Sequence, residues 1–124
     1  MKQTLCTALL TAFILTGCQE SYQEKFLRLA QQENATCPRK LNETTVLDST
    51  RYDANLNRIH YFYTLSGELD DAEHLKKNAA LHKQKLQKAV FHLLETQEYL
   101  KHGTSFHIVF HSASSGQMLA EFIF

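Results

Sequence analysis

From Arg58 to Leu65 the chain reads Arg-Ile-His-Tyr-Phe-Tyr-Thr-Leu, an alternation with a period of two. That is the period of an extended strand, whose successive side chains point to opposite faces. Ile59, Tyr61, Tyr63 and Leu65 therefore share one face, and His60, Phe62 and Thr64 share the other. The strand needs a cover on its more apolar face. The same alternation returns where Phe106, Ile108 and Phe110 interleave with His107, Val109 and His111. Between these strands the period changes. Leu75, Ala79, Leu86, Val90, Leu93 and Leu100 recur at spacings of three, four or seven, which makes one buried helical stripe. A chain that mixes the two periods in this way is an α+β domain.

The remaining elements follow from local chemistry. Tyr22, Phe26, Leu29 and Ala30 give one apolar helical face over Tyr22 to Gln32. Cys37-Pro38 ends that helix, because proline disfavours the helical region at the residue before it. Leu41 to Thr50 reads as a strand, and the turn formers from Tyr52 to Asn57 join it to the strand from Arg58. Asp70, with Glu73 three residues on, resembles a capping box, and His102-Gly103 a helix end. A helix across that span is roughly 45 Å long, against about 27 Å for an eight-residue strand. It must overhang, bend or break, and Asn78 to Lys83 is the expected place. Ser112 to Gly116 is a turn, and Met118 to Phe124 a last strand. The order α-β-β-α-β-β predicts a four-stranded antiparallel sheet, built of two hairpins, with helices on one face.

The N-terminus carries a different signal. Lys2 precedes a mostly apolar run, Thr4 to Ile14, which is too short to span a bilayer as a helix. Leu15-Thr16-Gly17-Cys18 follows. This layout resembles the signal peptide and lipobox of bacterial lipoproteins. The resemblance implies cleavage after residue 17, lipidation of Cys18, a tether over 18–23 and a single α+β domain over 24–124. The other reading is an ordinary cleaved signal in which Cys18 is incidental. Gln19 is not the aspartate that tends to retain lipoproteins at the inner membrane. The resemblance therefore implies the outer membrane, facing the periplasm. A Gram-positive source would place the domain on the outer face of the cytoplasmic membrane instead.

Cleavage before Cys18 leaves 107 of the 124 residues, enough for one modest core. It also removes Lys2, so the formal charge passes from 0 to −1. Without a basic bias, nucleic acid is not an expected partner. Cys6 leaves with the signal and Cys18 takes the lipid, so Cys37 alone remains. An odd cysteine in an oxidising compartment is either a buried thiol or the link of a Cys37 dimer.

Three groups of side chains are candidates for function. His60, His107 and His111 are potential metal ligands. However, His107 and His111 stand four residues apart on a strand, about 13 Å, too far to share an ion. Only His60 paired across strands with one of them would serve, and the bland account is a wet sheet face. No metal and no cofactor are expected. Lys76, Lys77 and Lys83, with Lys85 and Lys88, follow the acidic start of the helix. They are a solvated face or a basic surface for a membrane or an acidic partner. Phe62 falls on the open sheet face and is a candidate partner anchor. No triad of nucleophile and base stands out, and no glycine-rich phosphate loop is present, so no enzyme is expected.

Cys37-Pro38, Leu41-Asn42, Asp48 and Tyr61-Phe62-Tyr63-Thr64-Leu65, with the turn at Gly116 before a last apolar strand, resemble small secreted lipoproteins of unknown function. The resemblance carries over no functional residue except the lipid-bearing Cys18. An anchor, a small domain and no catalytic set predict a non-enzymatic binding or assembly module, as lipoprotein pilotins are. The alternative is an inhibitor or immunity protein that shields the envelope from a hydrolase or toxin.

Overall fold

The computed structural model of the chain describes residues 19–93 and 96–124, so Met1 to Cys18, with the whole lipobox, lie outside the described residues. Helix α1 (Tyr22–Asn34) starts at Ser21, whose hydroxyl accepts the Glu24 N–H, and it buries Phe26 and Ala30. The chain then turns through a cis Cys37-Pro38 bond into β1 (Arg39–Asn42) and β2 (Thr45–Asp53). The predicted strand over Leu41 to Thr50 is thus two strands. Asn42 folds its Oδ1 onto the Thr44 N–H and closes a tight hairpin between them. Strand β3 (Arg58–Leu65) follows as expected. The crossover consists of a short 3₁₀ turn, then α2 (Ala72–Lys77), α3 (Ala79–His92) and α4 (Gln97–Lys101). It returns the chain to β4 (Ser105–Ser112) and β5 (Met118–Ile123).

The sheet has five strands in sequence order, not four, and it is mixed rather than antiparallel. Strands β3 and β4 are parallel, with Ile59 opposite Phe106 and His60 opposite His107, while every other pair is antiparallel. The cause lies in the crossover. Strand β3 ends at Leu65, and the helices carry the chain back to the level of Arg58 before β4 begins beside it.

The long helix is broken twice. Asn78 interrupts it between α2 and α3, within the stretch where a break was expected, and its Nδ2 donates to the His74 carbonyl. The second break follows His92, where Leu93 is extended (φ −73°, ψ 130°). Leu93, expected in the buried stripe, is consequently 51% exposed. The Thr96 hydroxyl donates to the Val90 and Leu93 carbonyls and fixes that break. The N-cap of α2 is Asp71 rather than Asp70, and its carboxylate accepts the His74 N–H. Asp70 instead accepts the hydroxyl and the N–H of Ser114, which ties the crossover to the β4–β5 turn. Gly103 ends α4 with φ 67°, a left-handed value that glycine adopts without penalty.

Helix α1, the end of α3 and α4 cover one sheet face, and α2 lies beside β5. The core is aromatic. The Phe26 ring lies 4.3 Å from Tyr99 and 5.5 Å from Tyr52, and Tyr99 lies 6.2 Å from Phe106. Such tilted and edge contacts add to the hydrophobic gain of burial. At the same end of the sheet Asn57, in a left-handed conformation (φ 48°), accepts the Tyr52 and Thr104 hydroxyls and donates to the His102 carbonyl. Its own carbonyl accepts the Ser105 N–H. One side chain therefore locks the β2–β3 turn to the α4–β4 turn.

Candidate functional site

The described residues on either side of the second break, Leu93 and Thr96, both line a groove of about 370 Å³ on the covered face. Its floor is Leu47, Tyr61, Tyr63 and Ile108, from three adjacent strands. One wall is Leu29 of α1 with Leu41 of β1, and the other is Val90 and Leu93. Leu41 and Leu93 stand 47% and 51% exposed at the rim. Arg39 and Glu33, 3.7 Å apart, mark one end of the opening. Burial pushes the phenols of Tyr63 and Tyr99 up to about 12, so both stay neutral at physiological pH. The result is an apolar trough with neutral hydroxyls and an ion pair at its margin, a composition suited to binding.

A wider cavity, about 460 Å³, opens at the edge of β2. It lies between α1, which supplies Leu27, Ala30, Gln31 and Asn34, and the stretch Ser49 to Tyr52, with Phe62 beyond. Strand β1 pairs only as far as Leu47, so this part of β2 is a free edge. Asn34 blunts it by accepting the Thr50 N–H.

The sheet face of Phe62 carries His60 and His107. Parallel pairing sets His60 beside His107, with their Nδ1 atoms 2.7 Å apart, and His107 Nε2 lies 2.9 Å from a Glu121 carboxylate oxygen. A hydrogen bond between two Nδ1 atoms needs a proton on one ring only. His60 is 6% exposed, and its Nε2 has no partner among the described residues. Burial, followed by the charge of Arg51, holds its basicity below the usual histidine value.

The candidates from sequence are therefore scattered. His60 and His107 meet, but His111 does not join them, and no group of three or more potential ligands among the described residues could hold a metal ion. Phe62 shares the face of His60, half-buried and 6.3 Å from the His60 ring. Lys76 and Lys77 are exposed on α2 and Lys83 on α3, on the crossover rather than near Phe62. Cys37 is a free thiol, half-buried, with its sulfur 3.6 Å from the Glu33 carbonyl. Cys18 lies outside the described residues. The groove was missed, although its signal was present: two tyrosines on one strand face and leucines at a helix end.

The elements make a small α+β domain with a mixed five-stranded sheet among the described residues. The chain belongs to the family described as a domain of unknown function, DUF8479, which matches residues 21–120. No curated protein sequence matches it significantly. Among solved structures, it is similar to a Pseudomonas aeruginosa protein described as secreted. That likeness has a TM-score of 0.69 and 18% identity over 85% of this chain and 90% of the other. It is also similar to the pilotin of the Vibrio vulnificus type 2 secretion system. Here the TM-score is 0.53 and the identity 9% over 82% of this chain and 84% of the other. At these identities the likeness is one of fold.

Proposed function

We propose that this chain is a lipid-anchored, non-enzymatic protein of the bacterial envelope. It positions a partner protein by seating an apolar segment of that partner in the groove over Tyr61 and Tyr63. The observation that carries the reading is the groove itself, an apolar trough among the described residues, with Leu41 and Leu93 exposed on its two sides. An amphipathic helix laid in such a trough buries its apolar stripe and leaves its polar side in water. The fold shared with a pilotin supports an assembly role. The signal-like N-terminus supports anchoring at Cys18 and an outer-membrane location facing the periplasm.

The test compares membranes that carry the full chain with membranes that carry Leu41→Asp/Leu93→Asp. Both leucines are about half exposed, so the variant should fold. Cross-linking followed by affinity capture should recover an envelope protein with the unaltered chain and lose it with the variant. Equal recovery from both would refute the groove as the docking site.

A further inference from the structure

Residues 74–94 hold five lysines, three histidines and no acidic residue. In the fold, Lys76, Lys77, Lys83, Lys85 and Lys88 are all exposed, and none makes an ion pair or hydrogen bond among the described residues. Helix α3 buries no residue fully. On one side of it Lys85, Lys88 and His92 line up with Leu81, which is 48% exposed, whereas Lys83 lies on the opposite side. A helix that sets lysines beside an exposed leucine has the make-up of one that lies on a membrane surface.

The geometry places this helix near the proposed anchor. Helix α1 begins at Tyr22, so three residues, Gln19 to Ser21, separate it from Cys18. The four steps from Cys18 to Tyr22 reach about 14 Å at most. Tyr22 stacks on His102 at 4.4 Å, at the end of the sheet where Phe91 packs against Phe106 and Phe124. Lys88 stands less than one helical turn before Phe91, and Lys85 about 9 Å back along the axis. Tyr22, which follows the tether, and Phe91, which follows the lysines, pack on the same core cluster around Phe106.

We infer that the exposed face of α3 rests on the anionic headgroups of the membrane that holds the anchor, and so fixes how the domain stands on the bilayer. The inference rests on the lipid-anchor reading. Each lysine near an anionic surface is worth about a fivefold gain in occupancy, and Lys85 and Lys88 together about twenty-five-fold. The contact orients the domain rather than recruiting it, because the lipid does the recruiting.

The test uses the full chain purified from its own membranes and reconstituted into two kinds of vesicle. One is phosphatidylcholine alone, and the other contains one-third phosphatidylglycerol. Lysine acetylation is followed residue by residue by mass spectrometry, with the exposed Lys40 of β1 as internal control. Acetylation of Lys85 and Lys88 should be at least tenfold slower with phosphatidylglycerol, and high salt should restore it, while Lys40 stays constant. Equal rates in the two vesicles would overturn the inference. So would protection in native membranes alone, which would point to an acidic protein partner. Failure to associate with either vesicle would instead refute the lipid anchor, so the two failures are read separately.

Discussion

Asn57 offers the sharpest test of how this fold is held together. Its Oδ1 accepts the Tyr52 hydroxyl at 2.7 Å and the Thr104 hydroxyl at 2.8 Å, and its Nδ2 donates to the His102 carbonyl at 2.8 Å. Tyr52 and Thr104 are 3% and 5% exposed, so water does not readily replace the lost acceptor. Leaving a buried donor unpaired costs about 1–3 kcal/mol, and the third bond is worth about 1 kcal/mol. Asn57→Gly keeps the left-handed backbone and removes all three bonds, for a loss of about 3–7 kcal/mol. Asn57→Ala removes them too and adds about 1 kcal/mol of backbone strain at φ 48°. A domain of this size loses about 4–8 °C of melting temperature per kcal/mol, so the glycine variant should melt at least 12 °C below the unaltered protein. Urea denaturation followed by circular dichroism would give both free energies, with alanine the more damaging. An Asn57→Gly loss under 1 kcal/mol would refute the claim that this side chain locks the two turns.

Other outcomes follow from the same structure. Phe26→Ala empties a fully buried position among Tyr52, Tyr99 and Ala30 and should cost about 3–5 kcal/mol, read by the same denaturation. Ser21→Ala removes the α1 N-cap and should cost about 1 kcal/mol. His60 has a lowered basicity in the fold, so below about pH 6.5 the unfolded chain takes up a proton that the folded chain refuses. Stability should therefore be fully present above that pH and fall as pH drops below it, by at most about 1.4 kcal/mol per pH unit. His60→Phe should flatten that slope in melts from pH 7.5 to 5, and an unchanged slope would exclude His60 as its source.

What the sequence made legible was local. The β3 alternation, the α1 stripe, the break at Asn78 and the cap at Gly103 each follow from a few neighbouring residues. What it hid depends on distant partners. The parallel pairing of β3 with β4 turns on where a crossover of three helices returns, and no residue of either strand encodes that. Strand β1 has four residues, all exposed, and so no apolar alternation to reveal it. Asp70 and Asp71 are equivalent as caps until Ser114, far along the chain, takes the first of them. The groove was hidden for the same reason. Leu93 fits the periodicity of the buried stripe, but the helix stops one residue before it. His60 and His107 were legible as histidines on strands, and only the parallel register made them neighbours.

The central claim is that the groove over Tyr61 and Tyr63 receives a partner. Its most direct test is a photo-cross-linking amino acid placed at Leu93 on the groove rim, and in a control chain at Leu56. Leu56 is 57% exposed in the β2–β3 turn and lies outside the groove. Irradiation of the full chain in its own membranes should give a discrete adduct from position 93 and none from position 56. Adducts of equal yield from both positions, or none from position 93, would contradict the account.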